Sequence, residues 1–241
     1  MHFNFTKKSL TKSYQDQFNK VVNSLYLSLE DVRSSRSFFE SNSLETSRPV
    51  PKKLDSYCIV GGVPFEATEI KSFSSIKDEI SEILGDSLSY FVKPLNFGLE
   101  LAMIKWPDNP LPENLLDQVL LFITENPPPN FIIDIEGYQF HKDGCMVLRG
   151  FDRGAAFRLY RHRLLSEVNM MPQKQSSWCH IPLGRILAPL DKEKYAALLD
   201  HARLCQNKER FTVKVESLKV LHERRWYQSE RTLLKLFSSH D

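Results

Sequence analysis

The apolar pattern of this chain switches repeatedly between a two-residue and a three-to-four-residue period, and that alternation limits the fold more than any other feature. SYCIVGGVPF (residues 56–65) reads as a buried strand stopped by glycines and a proline. A helix follows, opened by the capping-box-like SIKD at 75–78, with Ile76, Ile80, Ile83 and Leu84 on one face and Gly85 as its stop. NFGLELAMIKW (96–106) returns to strand and ends at Pro107. Pro112 opens a helix bearing Leu115, Leu116, Val119, Leu120 and Ile123, which the proline run at 127–129 terminates. FIIDIEGYQF (131–140) and CMVLRGF (145–151), joined by the turn-like HKDG, form a hairpin.

Asp152 then caps a helix with Phe157, Leu164, Leu165 and Val168 as its apolar positions. WCHIPLGRILAPL (178–190) is a strand, and Asp191 caps a helix carrying Tyr195, Leu198, Leu199 and Ala202. FTVKVESLKVL (211–221) and RTLLKLF (231–237) close the chain as two further strands. Helices interleaved with both crossovers and hairpins indicate an α+β protein rather than a doubly wound sheet, and they hint at two similar halves. Upstream, residues 10–33 set Tyr14, Phe18, Val21, Val22, Leu25, Leu29 and Val32 on one helical stripe that must dock on something. Residues 34–53 lose all periodicity and read as a connector. The expected division is therefore an amino-terminal helix and linker over 1–53 and a main domain over 54–241.

The 241 residues suffice for a substantial core without staples. Thirty-two basic against 30 acidic residues leave a formal charge of +2, which excludes a strongly polybasic nucleic-acid binder while permitting a local basic groove. Four cysteines are scattered with no C-x-x-C pair or His/Cys cluster of metal spacing, so neither a metal nor a cofactor is expected. No apolar run is long enough to span a membrane, and the amino terminus lacks the apolar stretch of a signal peptide. These features point to a cytoplasmic protein in a reducing compartment.

One histidine stands out. Along a strand from His180 to Gly184, alternation places His180, Pro182 and Gly184 on one face and sends Ile181 and Leu183 into the core. An imidazole beside small residues on an open face suits a cleft, and equally suits a structural role.

HIPLGRI resembles the second signature of the 2H phosphoesterase superfamily, the group of bacterial 2'-5' RNA ligase-like proteins and cyclic nucleotide phosphodiesterases. The closing strands with Tyr227 in their connector, the 131–151 hairpin and SYCIVGGVPF are similar to that family's core, so the resemblance covers about residues 55–237. It implies a bilobal α+β fold with two antiparallel sheets flanking a central groove, here with an added amino-terminal helix. In the family, two His-x-Thr/Ser strands face each other, one imidazole acting as general base and the other as general acid while the hydroxyls hold the phosphate.

This chain departs from that pattern. The first signature should read Asn-Leu-His-Ile-Thr-Leu, and here it reads NFGLEL, with Gly98 in the histidine position and Glu100 in the threonine position. Pro182 replaces the second hydroxyl residue and brings no backbone donor. Of the family's four side chains only His180 remains.

The resemblance then implies a degenerate member that binds an RNA end, a nucleotide or another phosphate ester with weak or no hydrolysis. Two alternatives stand beside it: a phosphodiesterase in which Glu100 works with His180, and an interaction protein whose partner docks on the amino-terminal helix. Arg185 and Arg149 are the expected phosphate contacts, since guanidinium geometry matches phosphate oxygens. Arg158, Arg161 and His162 in RLYRHRLL are expected on the exposed side of their helix. His141 reads as turn chemistry, His222 as the end of a strand, and Arg224 and Arg225 beside Trp226 and Tyr227 as either an aromatic corner or a base-and-phosphate contact.

Overall fold

A computed structural model describes residues 6–208 and 210–239. In chain order the elements are α1 (Lys7–Val22), the single turn α2 (Arg33–Arg36), β1 (Lys53–Gly62), α3 (Ala67–Leu84), β2 (Ser89–Phe91), β3 (Gly98–Lys105) and α4 (Leu115–Glu125). There follow β4 (Phe131–Phe140), β5 (Cys145–Asp152), α5 (Ala156–Glu167), β6 (Ile181–Ile186), α6 (Lys192–Lys208), β7 (Arg210–Val215), β8 (Ser217–Arg225) and β9 (Glu230–Ser238). They build two antiparallel sheets, one in the order β3-β1-β8-β9 and the other β2-β6-β5-β4-β7. The α+β architecture with two sheets and an amino-terminal helix is therefore present.

Several local expectations need correction. The stretch FTVKVESLKVL is not one strand: it breaks at Glu216, so that β7 edges the five-stranded sheet while β8 lies inside the four-stranded one. A single residue thus carries the chain between sheets, where the apolar alternation shifts from Phe211, Val213 and Val215 to Leu218 and Val220, a phase change that a bulge within one strand would equally produce. The helix after β1 begins at Ala67, eight residues before the capping-box-like SIKD, because the Glu69 carboxylate accepts the backbone N–H of Glu66 at 3.0 Å. The first helix ends at Val22 rather than near residue 33, and Leu25 and Leu29 are exposed. Residues 34–53 are an ordered crossing rather than a bare connector, since Phe39 is fully buried against Tyr90 and Tyr227 and pairs with Pro51 in an isolated bridge.

Leu10, Tyr14, Phe18 and Val21 of α1 belong to the same apolar core as the strands of both sheets. The stripe read from the sequence is thus spent inside the molecule. Tyr14 fixes it: its hydroxyl donates to the Gly150 carbonyl and accepts the Gly150 N–H, both at 3.2 Å, and its ring packs edge-on against Phe151. A buried phenol with both hydrogen-bonding roles filled is worth more than its area alone. Tyr14→Phe leaves the Gly150 backbone unpaired and should cost about 1–3 kcal/mol in urea-induced unfolding, with unchanged far-ultraviolet circular dichroism. A variant as stable as the parent would show that α1 is held by apolar contact alone.

Candidate functional site in the groove between the sheets

His180 stands immediately before β6, and Pro182 and Arg185 follow it along the same groove wall. Simple alternation would send Arg185 to the opposite face from His180 and Pro182. A register shift against β5 absorbs one residue of β6, pairing Val147 with Pro182 but Cys145 with Arg185. This bulge brings Arg185 round to the side of Pro182, where strict period two had placed Gly184. The facing wall comes from β3, where Gly98, Glu100 and Met103 line the same space, and from β8 through Glu223. Trp106, Trp226 and Tyr227 complete a cavity of about 380 Å³.

Arg185 is strongly held. Its Nε donates to the Tyr227 hydroxyl, its Nη1 to Ser35 Oγ at 2.8 Å and more distantly to Asp143 at 3.4 Å, and its guanidinium lies 4.1 Å from the Phe38 ring centroid. Ser35 and Phe38 belong to the segment read from sequence as a connector, so that segment orients a groove residue. Among the described residues nothing bonds Nη2.

His180, Glu100 and Arg185 therefore share the groove, whereas Arg149 does not line it. Arg149 is buried under α1, its guanidinium 5.3 Å from the Tyr14 ring and 5.5 Å from that of Phe151. His141 also lies outside the lining, with its ring edge-on to Trp178 and its Nε2 at 2.8 Å from Gln139. His222 pairs with Asp55 at 2.6 Å and stacks on Tyr57. Arg158 and Arg161, expected to face solvent, are both buried. Arg158 pairs with Asp152 at 2.6 Å, and Arg161 donates to the carbonyls of Glu100, Leu101 and Trp178. Charged residues can occupy an apolar face when backbone carbonyls and a carboxylate meet them there, and residue type alone does not reveal that.

The groove's imidazole and its two carboxyl groups are pushed toward their neutral forms. Burial, helped by the charge of His141, Arg161 and Arg185, lowers the His180 pKa to about 3, and its buried Nδ1 has no hydrogen-bond partner among the described residues. Burial raises Glu100, with Arg161 opposing. Glu223, which sequence reading missed, rises to about 7, chiefly through burial, although its carboxylate accepts the Gln228 N–H at 2.7 Å and the Ser56 hydroxyl at 3.3 Å. Glu100 adds to this through like charge. In the sequence nothing sets Glu223 apart from any other glutamate on a strand.

Among the described residues no hydrogen bond or ion pair joins His180 to Glu100, and no three metal-ligating side chains converge in the groove. At Gly98, where the resemblance led one to expect a histidine, a Cβ would lie 2.6 Å from Val63 Cγ2. The space that the root of an imidazole side chain would need is filled by a valine.

The Glu223 shift has a definite sign. Its folded pKa lies above the ordinary carboxylate value, so between about pH 4.5 and pH 7 the folded protein keeps a proton the unfolded chain has lost. Stability falls as pH rises through that window, by roughly 3 kcal/mol once both states are ionised. Glu223→Gln, which keeps an oxygen for the Gln228 N–H, should therefore narrow the difference in melting temperature between pH 5 and pH 8. An unaltered pH profile would mean that Glu223 ionises normally.

No protein-family model matches the chain, and no curated protein matches it. Solved structures do. TT0787 of Thermus thermophilus aligns with a TM-score of 0.54 at 14% identity, over 76% of this chain and 97% of its own. Apo LigT of E. coli gives 0.54 at 11% identity over 79% and 100%, and LigT complexed with 3'-AMP gives 0.51 at 11% over 78% and 100%. At such identities the likeness establishes the architecture. This chain has the fold of those structural neighbours, TT0787 and LigT.

Proposed function

We propose that the chain binds a phosphate ester, as a nucleotide or an RNA terminus, in the groove between its sheets and hydrolyses it weakly or not at all. The observation that carries this reading is Arg185, pre-oriented by Tyr227, Ser35 and Phe38 with Nη2 left for a ligand, next to a neutral His180. A guanidinium whose rotamer is already fixed loses little entropy on meeting a phosphate. Trp106 and Trp226 on the same lining offer flat faces for a base. A neighbour of the same fold, LigT, has been crystallised with 3'-AMP, which supports a nucleotide as the ligand class.

Turnover is disfavoured by the same chemistry. A general acid must carry a proton at working pH, and an imidazole with a pKa of about 3 is almost wholly neutral near pH 7. Val63 fills the space beside Gly98, and among the described residues β3 offers no imidazole to face His180. The competing enzymatic reading gives the acid role to Glu100, which burial keeps closer to protonated. Four cysteines held as thiols suit the cytoplasm for either reading.

Isothermal titration with 3'-AMP should give saturable binding to the parent. Arg185→Lys, which keeps the charge but loses the planar fork, should weaken it by about tenfold or more. His180→Ala should leave the already low hydrolysis of a 2',3'-cyclic nucleotide unchanged. Absence of nucleotide binding would overturn the proposal. Robust hydrolysis abolished by His180→Ala or Glu100→Gln would replace it with the phosphodiesterase reading.

A further inference from the structure

Away from the groove, α6 covers the face of the five-stranded sheet that bears Tyr138 and Phe140, opposite the face of Gln139 and His141. There Glu79 of α3 meets His201 and Cys205 of α6, with one ligand atom from each lying within 4.8 Å of the others. His201 and Cys205 are four residues apart on a helix and so share a face. Cys205 Sγ lies 3.5 Å from His201 Nε2, and Glu79 Oε2 lies 2.9 Å from the same nitrogen.

These separations suit a metal ion. Tetrahedral zinc with Zn–N near 2.0–2.1 Å and Zn–S near 2.3 Å sets its nitrogen and sulfur ligands roughly 3.5 Å apart. The sulfur–nitrogen pair already has that spacing, but Sγ also lies 3.9 Å from Nδ1 and so sits beside the ring, and binding requires the Cys205 side chain to turn toward the Nε2 lone pair while the carboxylate retreats by about half an ångström. Glu79 is half-exposed and Cys205 buried, which gives a site with a protein floor and an open side for the ion to enter. The imidazole is also oriented from behind. The Tyr138 hydroxyl reaches the Leu198 carbonyl at 3.3 Å and His201 Nδ1 at 3.0 Å. With the phenol proton on the Leu198 carbonyl, Nδ1–H donates to Tyr138 and the Nε2 lone pair is left on the side of Glu79, with the Cys205 sulfur beside the ring. An outer partner of this kind typically fixes the tautomer of a metal-bound histidine.

We propose that Glu79, His201 and Cys205 bind one divalent transition-metal ion, of which zinc fits best, with water completing the coordination. On binding, the Cys205 thiol proton and any proton on Nε2 pass to solvent, and the ion ties α3 to α6. His-x-x-x-Cys on one helix with a glutamate from another makes no contiguous motif, which is why the sequence alone suggested no metal.

Cobalt(II), added to the full chain after treatment with a chelator, tests the assignment. The expected result is one equivalent bound, with the visible bands of a four-coordinate site and a near-ultraviolet thiolate-to-cobalt band, both displaced by zinc. Cys205→Ser should abolish the thiolate band, and Glu79→Gln, a surface change that spares the packing, should weaken binding by about tenfold or more. Zinc should raise the melting temperature of the parent and not that of His201→Gln. A parent with no thiolate band, or a Cys205→Ser spectrum identical to it, would overturn the proposal, as would equal affinity in Glu79→Gln.

Discussion

The buried guanidinium of Arg161 ties the two walls of the groove together. From α5 it donates to the carbonyls of Glu100 and Leu101 in β3 and to that of Trp178, two residues before His180. One side chain thereby fixes the spacing between a strand of the four-stranded sheet and the entry to β6 in the five-stranded one. Burying that cation costs energy, and burial indeed lowers its pKa. Three charge-assisted hydrogen bonds to backbone carbonyls offset the cost. The clamp also sets the electrostatics, opposing the upward shift of Glu100 and reinforcing the downward shift of His180.

The groove behind this clamp has a mostly apolar lining and holds little fixed negative charge. Glu100 and Glu223 are both raised by burial and act on each other, so a bound phosphate would meet fewer ionised carboxylates than residue counting suggests. Arg185 remains a fixed cation braced by Tyr227 and the 33–45 segment. A neutral imidazole beside a braced guanidinium suits recognition of a phosphate ester better than proton transfer to it.

How much of this was legible in the sequence depends on whether neighbours along the chain or across space decide it. The elements, their class and the resemblance carried by HIPLGRI were readable, because hydrophobic periodicity and short motifs are local. Strict alternation misplaced Gly184, since a bulge depends on the partner strand. Glu223 escaped notice because its meaning arises from Glu100, Ser56 and the Gln228 backbone, which β-sheet pairing and a turn bring to it. Arg158 and Arg161 were assigned to solvent on residue type, and Arg149 to the groove, because charge alone does not report which carbonyls or rings await it.

By itself the sequence determined the α+β alternation and the apolar stripe of the first helix, and it set a glycine at 98 and a histidine at 180. Each of these is written in residues adjacent or regularly spaced along the chain. Tertiary structure alone decided that the chain changes sheet at Glu216 and that residues 33–45 brace Arg185. It also decided that Val63 occupies the space beside Gly98 and that the groove's acids and imidazole are driven toward neutrality. Burial and charge–charge coupling depend on the three-dimensional surroundings of a group, and the linear order of residues does not specify those surroundings.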